Sequence, residues 1–270
     1  MIKIRRCCAG AVVIACMAGA PAYAQTAAKV CAADVCGAAP VVPLQSEPPA
    51  KLTVYQPLPD PLTIGRVVVQ YRTENLHEVP VFGPTALDIS PRIGHVHVSV
   101  DDNPWVWMSA SGEPVTLNGL PPGPHKVTIH LETANHQQVD EGVVTFTVPA
   151  VPMMASALPP QPATNEPPAK IVIDPPRAEP LSRGVVFITY HTGNLQVAPV
   201  FGTGALAVVP RVGHIHVTVD DAAWHWEDAS GDPVIVNGLS PGPHKILIQL
   251  VNANHQPIDQ GTVLVTVPNV

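Results

Sequence analysis

Gly94-His95-Val96-His97-Val98-Ser99-Val100-Asp101-Asp102 alternates polar and apolar side chains residue by residue. A period of two marks a β-strand with one face in a core, because successive side chains on a strand point to opposite faces. Val96, Val98 and Val100 therefore face a core. His95, His97, Ser99 and Asp101 face the other way, on what is expected to be an outward polar face. The run returns as Gly213-His214-Ile215-His216-Val217-Thr218-Val219-Asp220-Asp221.

The two runs lie 119 residues apart, and this offset holds without a gap from Glu47 (paired with Glu166) to Pro149 (paired with Pro268). About half of the aligned positions are identical. A period this long means tandem domains; solenoid repeats run roughly 20–50 residues. The organisation read from the sequence is a leader (1–24), an Ala/Pro-rich tail (25–46), copy 1 (47–149), a Pro/Ala-rich linker (150–165) and copy 2 (166–270). Each copy is large enough to be expected to fold alone.

Around His95 the rest of copy 1 reads as further short strands: Lys51–Tyr55, Val67–Tyr71, His77–Phe82, Val115–Leu117, Lys126–Leu131 and Val143–Val148. No stretch has a convincing helical period. About seven strands broken by Pro and Gly turns predict an all-β fold, with each copy an immunoglobulin-like β-sandwich. Asn118-Gly119 signals a tight turn. Gly123 and Gly242 fall where a turn needs positive φ or close backbone approach.

Leu120-Pro121-Pro122-Gly123-Pro124-His125 and Leu239-Ser240-Pro241-Gly242-Pro243-His244 resemble the Leu-x-Pro-Gly-x-His corner of bacterial immunoglobulin-like and polycystic-kidney-disease-type exported modules. The wider pattern adds the His95 strand, Trp105-x-Trp107 and Asn135-His136. It resembles an uncharacterised family of exported bacterial proteins with immunoglobulin-like domains. The resemblance covers most of both copies, and it implies fold and export but no activity.

Export is also read from the N-terminus. Lys3, Arg5 and Arg6 precede an uncharged apolar stretch, Cys7–Ala20, and Ala22-Tyr23-Ala24 is an A-x-A cleavage site. The stretch is too short for a spanning helix. The expected location is periplasmic or secreted, and lipoprotein processing at Cys16 is the competing reading. Cys31 and Cys36 are expected to pair in an oxidising compartment or to be tail cysteines without a folding role. Without the leader, the 14 basic residues drop to 11 against 21 acidic ones, a net charge of −10. That excess disfavours non-specific binding to nucleic acid or anionic lipid. The 46% hydrophobic content with 13% charge excludes a wholly disordered chain, and 33 prolines exclude long helices.

Of the twelve histidines, His95, His97, His125 and His136 recur as His214, His216, His244 and His255. His77, His130, His191 and His225 do not recur and are expected to lie outside any shared site. Two imidazoles two residues apart on one strand face can reach one ion, and imidazole suits zinc and copper alike. The candidate metal ligands are therefore His95, His97 and His136, with His214, His216 and His255 in the second copy. Each copy is expected to bind one ion. Asp101 and Asp220 share the strand face and are expected to orient an imidazole. A polar strand face without metal is the competing reading. His125 begins on the core side of its strand and is expected to bond loop backbone.

Trp105, Trp107, Trp224 and Trp226 are candidates for a stacking surface, or else for a lid over the core. No nucleophile elbow, phosphate loop, His-Glu-x-x-His or dinucleotide fingerprint occurs. Adjacent Asp101 and Asp102 point to opposite strand faces and make a poor acid/base pair. The sequence thus reads as an exported non-catalytic binding protein that holds zinc or copper. The alternative is a module that recognises cell-envelope polysaccharide or a protein partner through the Trp-x-Trp surface. A copper or zinc enzyme is a third class, because copper–zinc superoxide dismutases are also sandwiches with His-x-His strands. This chain lacks the fuller ligand set expected there.

Overall fold

A computed structural model describes residues 47–83, 86–87, 91–150 and 167–270. The leader with Cys16, the tail with Cys31 and Cys36, and nearly all of the linker lie outside the described residues. Copy 1 contains β1 (Lys51–Val54), β2 (Val67–Val69), β3 (Tyr71–Glu74), β4 (His77–Glu78), β5 (Ile93–Val100), β6 (Val106–Ser109), β7 (Val115–Asn118), β8 (Gly123–Thr133) and β9 (Gln138–Val148). Copy 2 contains β10 (Lys170–Ile173), β11 (Val186–Ile188), β12 (Tyr190–Gly193), β13 (Gln196–Val197), β14 (Val212–Val219), β15 (His225–Asp228), β16 (Val234–Asn237), β17 (Gly242–Asn252) and β18 (Pro257–Val267). The chain is all-β: two tandem immunoglobulin-like sandwiches, with only short helical turns such as Pro59–Leu62 and Ala178–Leu181 among the described residues. No described helix is long and apolar enough to cross a membrane.

Val96, Val98 and Val100 of β5 are buried, as the alternation predicts, and pack with Val127, Ile129 and Leu131 of β8 against Val67, Val69 and Leu117. These residues and their copy-2 counterparts form one continuous core. Its continuity corrects the expectation of two self-contained copies. One seven-stranded sheet runs β11-β16-β6-β5-β8-β9 with β4 also paired to β5, and the other runs β18-β17-β14-β15-β7-β2 with β13 also paired to β14. β6 of copy 1 pairs with β16 of copy 2, and β7 of copy 1 pairs with β15 of copy 2. Each copy sends β6 (or β15) and β7 (or β16) into different sheets. The edge this leaves open in each sheet is closed by the other copy, which removes an exposed ladder of unpaired backbone groups.

The tryptophans occupy that seam. Trp107 stacks on Trp226 with ring centroids 5.0 Å apart and planes 12° from parallel. Trp105 stacks on Trp224 at 5.7 Å and 10°. Trp107 and Trp226 are 5% and 3% exposed. The expected stacking surface is therefore corrected: the indoles stack on one another between the copies and hold the seam together.

Two further corrections concern β5. Its polar face is buried, with His95 at 0% and His97 at 5% exposure. Phe82 and the turn after β8 lie over it, Phe82 sitting 5.1 Å from the His95 ring centroid. Asp101 does not orient these imidazoles. The chain turns at Asp101 (φ 55°), which ends the strand alternation. Its carboxylate instead accepts from the Lys126 backbone N–H at 3.0 Å and pairs with His125 Nδ1 at 2.9 Å. Asp220 makes the same clasp with His244 and Lys245 at 2.6 and 2.9 Å. His125 Nε2 also bonds the Pro121 carbonyl at 2.7 Å, the loop-backbone role expected of it.

Candidate functional site

Three elements build the first cluster. β5 places His95 and His97 on one face. β8 lies directly beside it, with Gly94 opposite Thr133 and His95 opposite Glu132. Gly94 permits that approach: a Cβ there would stand 2.0 Å from the Glu132 carbonyl oxygen. The turn from β8 to β9 then folds His136 back over the strand. His136 adopts φ 57° and its backbone N–H donates to the Thr133 carbonyl at 2.9 Å. A left-handed backbone is uncommon for a residue with a side chain, although histidine tolerates it better than most. His255 repeats it at φ 60°.

The imidazole nitrogens converge. His95 Nε2 is 3.1 Å from His97 Nε2 and 3.2 Å from His136 Nδ1. In copy 2, His214 Nε2 is 3.1 Å from His216 Nε2 and 2.9 Å from His255 Nδ1, which is 3.4 Å from His216 Nε2. Four ligand atoms in each cluster lie within 4.8 Å of one another. The fourth is a glutamate that sequence reasoning missed: Glu132 in copy 1 and Glu227 in copy 2. These are not repeat partners. Glu132 stands where copy 2 has Val251, and Glu227 where copy 1 has Met108. Each cluster thus holds three histidines and one carboxylate, reached from β8 in one copy and β15 in the other.

The two clusters differ around that carboxylate. Glu132 is 7% exposed, its Oε1 lies 3.1 Å from His97 Nδ1, and its Oε2 is buried without a hydrogen-bond partner. A carboxylate this close to Nδ1 favours the Nδ1–H form of His97 and leaves the Nε2 lone pair facing the cluster. Glu227 lies opposite His216 in the β14–β15 register. Its Oε2 accepts from Arg66 Nη2 at 2.6 Å, and its Oε1 accepts from the Asn118 amide. Arg66 and Asn118 belong to copy 1. His225, expected to be unrelated to the site, stacks on His216 at 4.3 Å.

Burial governs the electrostatics. It pushes His95 down to about 3, helped by the charges of His97 and His136. His214 is pushed down to about 3 by burial, then by His255, Arg66 and His225. Burial, then Arg66 and His225, lowers His255 to about 4. Burial also lowers His136 and His216. All these imidazoles are held neutral, the form that binds metal. Glu227 is raised, because burial outweighs Arg66 and Asn118.

A family of unknown function (DUF6130) matches residues 7–158 and, again, residues 154–270. No curated protein matches the chain. Among solved structures, the fibronectin(III)-like modules of Clostridium thermocellum CbhA align over 80% of this chain and 94% of theirs, at 10% identity and a TM-score of 0.25. A tetra-tandem repeat from the extending region of a large adhesion protein aligns over 81% of this chain and 49% of its own, at 11% identity and a TM-score of 0.21.

Proposed function

We propose, for a chain that belongs to the DUF6130 family of unknown function in two consecutive copies, that the protein is a non-catalytic binder of divalent metal, zinc or copper. The ligands are His95, His97, His136 and Glu132 in copy 1, and His214, His216, His255 and Glu227 in copy 2. One observation carries the reading. Glu132 is a buried carboxylate among three converging imidazoles, with an oxygen that accepts no hydrogen bond and lies 3.7 Å from His136 Nδ1. Burying such a charge without a compensating cation is costly. A divalent ion removes that cost and uses the imidazole lone pairs that now face one another. Four ligands around zinc at 2.0–2.1 Å would stand roughly 3.3 Å apart, close to the 3.1 and 3.2 Å separations of the nitrogens.

Imidazole with one carboxylate suits zinc and copper(II) better than magnesium or calcium, which prefer oxygen ligands. A cluster whose four positions are all filled by the protein is the arrangement of a structural rather than a catalytic zinc site. Export to the periplasm or beyond, read from residues 1–24, is part of the same proposal. The polysaccharide alternative loses its platform with the indoles stacked on one another. Calorimetric titration of zinc and copper(II) into chelator-treated full-length protein at pH 7.5 tests the reading. Binding tighter than about 0.1 mM is expected, lost from copy 1 in His97→Ala and weakened in Glu132→Gln. Absence of such binding for both metals would overturn it.

A further inference from the structure

The two clusters share their histidines but not their surroundings, and Arg66 makes the difference. Its Nη1 donates to His255 Nε2 at 2.8 Å while its Nη2 donates to Glu227 Oε2 at 2.6 Å. A guanidinium has only donors, so His255 Nε2 must accept. A neutral imidazole that accepts at Nε2 carries its proton on Nδ1. Nδ1 is the atom that points into the cluster, 2.9 Å from His214 Nε2. His255 is therefore set as a donor toward the other histidines and has no lone pair to offer an ion there. Arg66 also neutralises the one carboxylate of this cluster.

Among the described residues nothing equivalent acts on copy 1. The repeat partner of Arg66 is Val185. Among the described residues His136 receives no hydrogen bond from an arginine. Arg183 influences it only through space and is paired with Glu179 at 2.8 Å. The approach to the clusters differs in the same sense. Arg66, Glu227 and Phe201 line a cavity of about 520 Å³. The matching cleft beside His95 holds about 10 Å³. There Met108 and Ile235 stand where the copy-2 cavity has Glu227 and Thr116.

We infer that the two clusters are unequal divalent-cation sites: copy 1 holds a standing ion site, and Arg66 latches the copy-2 site shut until the guanidinium leaves. The inference rests on the metal reading above. When Arg66 swings into the neighbouring cavity, the His255 proton can pass to Nε2, Nδ1 recovers its lone pair and Glu227 Oε2 is freed to face an ion in place of the guanidinium. The latch comes from the opposite copy, so the second site is controlled across the seam.

The test is zinc titration of chelator-treated full-length protein at pH 7.5, combined with nitrogen NMR of the histidine side chains. One ion per chain is expected to bind tightly. His97→Ala abolishes that event and His216→Ala leaves it intact, while any second ion binds at least about tenfold more weakly. Arg66→Val, which installs the copy-1 residue, raises the second site to within about tenfold of the first. In the metal-free wild type, His255 carries its proton on Nδ1. No zinc binding at all would overturn the metal reading itself. Two ions of equal affinity in the wild type would leave that reading standing and overturn the latch, as would an unchanged second site in a folded Arg66→Val. If Arg66→Val does not fold, the wild-type spectrum decides, and a proton on His255 Nε2 overturns the latch.

Discussion

Replacing either fully buried histidine should remove a measurable share of the metal-free protein's pH dependence of stability. His95 and His214 are 0% exposed, and burial with neighbouring imidazoles holds both near 3. The protonated ring carries an N–H on both nitrogens, and neither Nδ1 has a hydrogen-bond partner among the described residues to receive one. In the unfolded chain each imidazole titrates near 6.5. Between those values the unfolded chain holds a proton that the folded chain refuses. The stability contribution is therefore complete above about pH 6.5 and is lost as the pH falls toward about 3. At pH 5.0 the solution is about 1.5 units below the unfolded value, which costs about 2 kcal/mol per imidazole at ~1.4 kcal/mol per unit. The pair loses about 4 kcal/mol, a large part of a typical 5–15 kcal/mol total. Glu113 works the opposite way, because burial, then Asp228 and Asp232, pushes it up to about 7. The measurement is accordingly a difference between variants. Urea unfolding at pH 7.5 and 5.0 should show about 2 kcal/mol less acid loss in His95→Gln than in the wild type, and about 4 kcal/mol less when His214→Gln is added. Equal acid losses in all three proteins would refute the buried, neutral cluster.

Gly94→Ala puts a Cβ 2.0 Å from the Glu132 carbonyl oxygen, so it should cost roughly 3 kcal/mol or more in thermal unfolding, while Gly193→Ala, which meets open space, stays within about 0.5 kcal/mol. Residues 47–149 expressed alone should form a two-fold dimer in which β6 of one molecule pairs with β7 of the other, and a folded monomer by light scattering would contradict the shared sheets. Gly123→Val, at φ 136°, should destabilise by more than about 1 kcal/mol in denaturant, with a neutral result removing the turn assignment.

The alternation at β5 was enough to place Val96, Val98 and Val100 in the core and His95 and His97 on one face. Its expectation of an outward polar face fails, because Phe82 and the β8–β9 turn, which arrive from elsewhere in the chain, cover that face. The failure at Asp101 is local. The strand alternation ends at Val100, and the positive φ of the next residue turns the Asp101 side chain away. The carboxylates were hidden by the repeat itself. Selecting residues that recur at 119 keeps the histidines and discards Glu132 and Glu227, whose role comes from pairing register, His95 opposite Glu132 and His216 opposite Glu227. Register is a property of two strands and cannot be read from either alone. The tryptophans show the same limit: their spacing fixes a common side, and their partners are the other copy's tryptophans.

Joining the copies in one chain gives the two clusters a freedom that two separate chains would lack. In a two-fold dimer of identical chains every residue acts twice, so both sites must carry the same carboxylate and the same neighbours. Here the carboxylate has moved from β8 to β15 between copies, and the move decides what can reach it. Among the described residues β8 pairs only with β5 and β9 of its own copy, which keeps Glu132 inside the copy-1 sandwich. β15 pairs with β7 of the other copy, which brings Asn118 and Arg66 onto Glu227. The position of one glutamate thus separates a cluster closed within its own copy from one that the opposite copy can hold.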